Sequence, residues 1–139
     1  MTVKGAMSIN LKKINSTATV TAAAKYMHEK NVGSLLIEDN DKILGIMTER
    51  DILSKVAAQG KHSDEVLVSE IMSTNLFTID HNAPLEEAGE LMRKHKVRRI
   101  SVTDNDKIVG IITARDVAER MKFSIAKRLS DYGRATEFR

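Results

Sequence analysis

Apolar positions along the chain alternate between two periods, and the whole alternation occurs twice. Val20, Ala23, Ala24 and Met27 fall three or four residues apart, the spacing of one helix face, and Leu85, Ala88, Leu91 and Met92 repeat that spacing. After each comes a pair of short runs rich in Ile, Leu and Val: Leu35–Glu38 with Ile43–Met47, then Ile100–Thr103 with Ile108–Ile112. Such runs predict strands. Asp-Asn-Asp-Lys joins each pair, and these residues tolerate left-handed backbone and bond their own main chain, so each pair predicts a hairpin. Leu11–Ile14 and Leu76–Ile79 predict a leading strand, and Glu49–Ala58 and Ala114–Met121 a closing helix. Pro84 suits the first turn of its helix, where a missing N–H costs nothing. The predicted order is β-α-β-β-α, twice.

The two halves are copies. Val3–Leu53 lies on Val68–Ala118 at an offset of 65 without a gap, and 20 of the 51 paired positions are identical. The densest match sets Asp39–Asp51 on Asp104–Asp116. One copy of roughly 60 residues is marginal as an independent core, so the two are expected to pack as one pseudo-symmetric unit. The boundaries read 1–58 for the first repeat, 59–67 for a linker carrying Gly60, His62, Ser63 and Asp64, 68–122 for the second repeat, and 123–139 for a basic C-terminal tail.

Composition narrows the classes. With 42% hydrophobic and 29% charged residues in 139, the chain is globular rather than disordered. It has no cysteine, which excludes disulfides, thiolate metal sites and a cysteine nucleophile. No leader pattern stands at Met1–Leu11, and no apolar run approaches the ~18 residues of a membrane span, so a cytoplasmic protein without membrane contact is expected. The net charge of +3 is gathered late, in Arg120, Lys122, Lys127, Arg128, Arg134 and Arg139 against Asp131 and Glu137. A basic end of this kind fits a solvated terminal helix. It could also meet nucleic acid, although it lacks the interleaved aromatics of a single-strand binder.

Candidate chemistry sits where an apolar strand gives way to a helix, in Thr48-Glu49-Arg50-Asp51 and again in Thr113-Ala114-Arg115-Asp116. Thr is a favoured N-cap, and an acid three residues on completes a capping-box-like pattern, so part of the motif needs no ligand. The same four residues hold three parts of a nucleotide site. A helix start offers amides to a phosphate, Arg adds a charge-assisted fork, and Asp can accept the two hydroxyls of a ribose. A cap explains Thr and Asp; it does not explain an Arg repeated at one position.

The duplicated order ending in Gly45-Ile46-Met47-Thr48-Glu49-Arg50-Asp51-Ile52 and Gly110-Ile111-Ile112-Thr113-Ala114-Arg115-Asp116-Val117 resembles a tandem pair of CBS (cystathionine-β-synthase) domains, a Bateman module. Val68-Ser69-Glu70-Ile71-Met72 and Leu76-Phe77-Thr78-Ile79 also resemble the start of that family's domain. The resemblance implies a mixed α/β (α+β) fold of two β-α-β-β-α repeats packed as one pseudo-two-fold pair. It implies a cleft between the repeats for adenosine-containing ligands: AMP, ADP, ATP and in some cases S-adenosylmethionine. Carried over by position, Thr48 and Thr113 would meet the ribose-phosphate, Asp51 and Asp116 the ribose hydroxyls, and Arg50 and Arg115 the phosphates. The base would lie near Val32-Gly33-Ser34 and Val97-Arg98-Arg99, and near Leu11-Lys12 and Leu76-Phe77. A homodimer and an unidentified regulated protein are the implied partners.

The copies differ at the site's edge: Arg98 and Arg99 stand where the first copy has Gly33 and Ser34, so unequal sites are expected, the second favouring the more anionic ligand. Gly33 would let a base or a backbone come close, whereas Arg98 and Arg99 also suit an exposed strand start or a dimer contact. His28, His62, His81 and His95 show no metal-ligand spacing, and no nucleophile elbow or Gly-rich phosphate loop occurs, so neither a metal, a resident cofactor nor an enzyme activity is expected. Met7 with Met72 and Met27 with Met92 are repeat-equivalent, which favours core packing over a sticky surface. The leading expectation is a stand-alone regulatory nucleotide sensor. Its alternatives are a nucleic-acid-associated protein using the basic edge and tail, and a ligand-free structural or dimerisation module.

Overall fold

A computed structural model provides the structure, which describes residues 1–136. The chain forms two compact units: a first unit of Asn10–Leu76, and a second built from Met1–Ile9 together with the chain from Phe77 onward. In the first, β1 (Lys13–Asn15), β2 (Ser34–Asp39) and β3 (Lys42–Thr48) form a sheet in that order, β1 parallel and β3 antiparallel to β2. In the second, β4 (Thr78–Asp80), β5 (Arg99–Asp104) and β6 (Lys107–Thr113) repeat the arrangement. Even the bulge recurs, between Ile37 and Glu38 and between Val102 and Thr103.

The hairpins form as the turn residues dictate. Asn40 and Asp41 take φ of 49° and 64°, and Asn105 and Asp106 take 50° and 65°, the paired left-handed conformations whose twist matches that of the flanking strands. Helix α1 (Val20–Lys30) starts at Thr19, whose hydroxyl accepts from the Ala22 amide at 3.1 Å, and stops at Asn31 in left-handed backbone. In the second unit α4 (Leu85–His95) follows Pro84, which stands one residue before the first helical turn. Val20, Ala23, Met27, Leu35, Ile37 and Met47 fill the first core, and Leu85, Ala88, Met92, Ile100, Val102 and Ile112 the second.

The sequence repeats and the packed units do not coincide. Val3, the first residue of one copy, is fully buried in the second unit, where its amide donates to the Ala83 carbonyl at 2.9 Å. Its counterpart Val68 is fully buried in the first unit beside Val66 and Ile71, and donates to the Ala18 carbonyl at 2.9 Å. Each copy's leading segment thus completes the core built around the other copy's sheet. The segments end in matching bridges, Ser8 with Ile111 and Ser73 with Ile46. Gly110 and Gly45 lie beneath them; a Cβ at Gly45 would stand 2.5 Å from the Ser73 carbonyl oxygen, and one at Gly110 2.9 Å from that of Ser8. These two glycines are therefore required by close backbone approach.

Three expectations shift. The leading strands begin two residues later than Leu11 and Leu76, at Lys13 and Thr78. The helix expected over Glu49–Ala58 is α only over Glu49–Ile52 (α2) and continues as a π-helical turn, Leu53–Ala57. A short α3 (Val68–Ile71) then leads the second copy. Helix α5 does not stop at Met121: it runs Ala114–Thr136, so most of the expected tail is helical, while its last residues, 137–139, lie outside the described part.

Candidate functional site at the strand–helix junctions

Three stretches singled out in the sequence converge at one end of each sheet. In the first unit Ser34 pairs with Thr48 across β2 and β3, the Glu49 amide donates to the Gly33 carbonyl at 3.1 Å, and the Lys12 carbonyl accepts from the Leu36 amide at 3.0 Å. In the second unit Arg99 pairs with Thr113, the Ala114 amide donates to the Arg98 carbonyl at 2.8 Å, and the Phe77 carbonyl accepts from the Ser101 amide at 3.1 Å. Two strand spacings separate the outer stretches, on the order of 10 Å, a span comparable to a nucleoside.

At that end both Thr-x-Arg-Asp motifs form caps. Asp51 Oδ2 accepts from the Thr48 amide at 2.9 Å and from its hydroxyl at 3.1 Å, while the Asp51 amide donates to Thr48 Oγ1 at 3.2 Å. Asp116 Oδ2 accepts from the Thr113 amide at 2.9 Å, and the Asp116 amide donates to Thr113 Oγ1 at 3.1 Å. The first-turn amides are then satisfied except one. Glu49 and Ala114 donate to carbonyls, Asp51 and Asp116 to the Thr hydroxyls, and the Arg50 and Arg115 amides have no protein partner among the described residues. An unpaired amide at a helix start, beside an Arg, is a donor suited to an anion.

The Arg side chains are not committed alike. Arg115 lies along the exposed face of α5 and pairs with Glu119, Nε to Oε1 at 3.1 Å. Arg50 is exposed and makes no ion pair among the described residues. The same holds for Arg98, exposed, and Arg99, half-buried, whose charges flank the second unit's site alone. The Phe77 ring is stacked on the imidazole of His95, centroids 4.1 Å apart and planes 17° from parallel, so one face of the ring is already covered.

Sequence reasoning missed Lys55, one turn beyond Asp51. Its Nζ lies 3.2 Å from Asp51 Oδ1 and donates to the Ile71 carbonyl at 2.9 Å. The i,i+4 spacing from Asp51 signalled the first contact; nothing signalled the second, which spans 16 residues. Two grooves lie on the units: one of about 320 Å³ lined by residues of α1 and α2, Glu49 of the first motif among them, with Asn31 and Val32, and one of about 310 Å³ lined by α4 and α5. Neither is lined by Thr48, Arg50 or Asp51 or by their counterparts. Among the described residues no cluster of His, Asp and Glu could hold a metal ion, and no helix is long and apolar enough to cross a membrane.

Comparison with known proteins agrees with this architecture. A sequence profile described as the CBS domain matches twice, over residues 3–58 and 68–122. A CBS domain-containing protein of Bacillus subtilis is 34% identical over 116 residues, covering 84% of this chain and 82% of its own. The structure of a putative signal-transduction protein with CBS domains from Burkholderia ambifaria superposes with a TM-score of 0.81 at 31% identity, covering 87% of this chain and 93% of that one. A hexameric CBS-CP12 protein from bloom-forming cyanobacteria superposes with a TM-score of 0.79 at 31% identity, over 85% of this chain and 66% of that one.

Proposed function

This chain belongs to the CBS-domain family, a regulatory module, and from that premise we propose that its two strand–helix junctions bind adenine nucleotides and so regulate a partner without catalysing a reaction. What carries the reading is the recurrence, at an offset of 65, of a capped helix start whose Arg amide is left over beside an uncommitted or surface-paired guanidinium. A phosphate oxygen on that amide also gains from the helix dipole. The Oδ1 atoms of Asp51 and Asp116, not used by the caps, are acceptors for the ribose hydroxyls. The backbone near Gly33 and Lys12, and near Arg98 and Phe77, supplies hydrogen-bonding edges for the base. With Arg98 and Arg99 beside it, the second unit's site favours the ligand with more phosphates.

Regulation requires that the ligand favour one conformation or assembly over another. Self-association is part of the proposal. Helix α5 leaves Met121, Ile125 and Leu129 exposed at four-residue spacing, one continuous stripe available to a second copy. The hexameric CBS-CP12 relative supports the same reading.

The test is to purify the full-length protein gently, record its ultraviolet spectrum, then release bound small molecules with acid and identify them by chromatography. With no Trp and two Tyr the protein absorbs weakly, so a purine stands out near ~260 nm against weak aromatic absorption. Release of an adenine nucleotide, or rebinding of AMP or ATP to the stripped protein, is the expected result. Absence of both contradicts the proposal.

A further inference from the structure

The two motifs have the same sequence pattern and the same fold position, yet their polar atoms are not equally occupied. In the first unit every side-chain atom of the cap is committed: Thr48 donates its hydroxyl to Asp51 Oδ2, and Asp51 Oδ1 faces Lys55 Nζ. In the second unit the Thr113 hydroxyl accepts from the Asp116 amide but donates to nothing among the described residues, and Asp116 Oδ1 has no ion pair. Arg120, 65 residues beyond Lys55, is exposed and forms no ion pair there.

Lys55 is also placed differently from its counterpart by the backbone. It sits inside the π-helical turn Leu53–Ala57, where the Ala58 amide reaches back five residues to the Leu53 carbonyl at 2.8 Å. The equivalent stretch of the second copy is ordinary α-helix within α5. Single π turns concentrate at functional sites. From within this turn Lys55 spans two elements: the acid of the motif on α2, and the last carbonyl of α3, at Ile71. Two residues past α3 comes Ser73, bridged in both directions to Ile46 of β3 at 3.0 and 2.8 Å over Gly45.

We propose that Lys55 is a latch: it occupies the Asp51 oxygen that a ribose needs, so that the second unit's site fills first, and ligand capture at Asp51 releases the end of α3. This rests on the nucleotide reading above for what the ligand is, but the tie between Asp51 and α3 stands on geometry alone. A cation paired with Asp51 holds the site closed, and a ligand that displaces it frees the Ile71 carbonyl. Occupancy at the motif and the fraying of α3 are then one equilibrium, the differential contact that a sensor requires.

The test uses the full-length chain and AMP. In a chain carrying Asp116→Asn, which weakens the second unit's site, adding Lys55→Met should tighten AMP binding about two- to fivefold, the worth of a half-exposed ion pair. In a chain carrying Asp51→Asn, Lys55→Met should leave affinity unchanged, and Lys55→Arg should behave as wild type. A lysine that merely props the fold, or attracts phosphate, would instead weaken binding when removed; unchanged or weaker binding overturns the latch. Hydrogen exchange without nucleotide provides a second readout. Lys55→Met should speed exchange of the Met72 amide, bonded to the Val68 carbonyl at 3.0 Å, by several-fold, whereas equal exchange overturns the tie to α3. If AMP binds none of these proteins, the nucleotide reading fails while exchange still decides whether Lys55 holds α3.

Discussion

At the scale of single residues, each motif serves two masters through different atoms. Thr48 Oγ1 and Asp51 Oδ2 close the cap, while the Arg50 amide and Asp51 Oδ1 take no part in it, Oδ1 lying 3.2 Å from Lys55 Nζ. Removing the hydroxyl should therefore register in stability before any ligand is added. Thr48→Ala is expected to cost about 1 kcal/mol, the usual worth of such a cap, read as a lowered midpoint in urea denaturation of the full chain, with Thr48→Ser close to wild type. An unchanged midpoint would mean that the cap contributes nothing and that Thr48 is kept for another purpose. The cap was legible in the sequence because Thr and Asp three apart at a strand end have few other arrangements open to them. Lys55 was half legible. Its spacing from Asp51 is a helical one, but its second partner is fixed by where α3 docks, which no local pattern encodes.

At the scale of elements, local chemistry and tertiary packing divide the account. Hairpins and amphipathic helices were readable because period and turn residues agree: Asn40 and Asp41, like Asn105 and Asp106, adopt the left-handed backbone their side chains tolerate. The leading segments were not readable as partners of the opposite copy. Val3–Gly5 and Val68–Ile71 are single turns too short to carry a period, and they are fixed by burial of Val3 and Val68 and by hydrogen bonds to residues far along the chain. Nor was the length of α5, since the repeat ends near Met121 and the residues beyond it are mixed in charge; the stripe Met121, Ile125, Leu129 was the available signal. The glycines at the two bridges make the docking testable. Gly45→Ala would drive a Cβ to 2.5 Å from the Ser73 carbonyl oxygen, so Ser73 must move, at a cost of about 1–3 kcal/mol for overpacking. Gly5→Ala, with open space around it, should be near neutral. Equal effects at the two positions, measured by thermal melting, would show that the bridge does not restrain the segment.

At the scale of the whole molecule, duplication does not mean that either repeat stands alone. The first unit draws Val66, Val68 and Ile71 into its core, and the second draws Val3. A fragment of residues 1–58, the first repeat as the sequence divides it, lacks those three and should remain unfolded by circular dichroism. A fragment of 10–76, which keeps its core together, should retain helical signal and cooperative melting; the reverse outcome would refute the exchange of segments. That exchange also places each motif in a unit whose stability depends on chain from the other copy, so a ligand at either motif acts on both halves of the sequence. The most direct test of nucleotide binding at the paired motifs is the melting temperature of the full chain, wild type and Asp51→Asn/Asp116→Asn, with and without AMP. At ligand about a hundredfold above its dissociation constant, binding adds about 2.7 kcal/mol. For a chain of this size that corresponds to a rise of roughly 5–10 °C, expected in the wild type and largely lost in the double variant. No rise in the wild type, or the same rise in both proteins, would contradict the assignment of these motifs as the nucleotide sites.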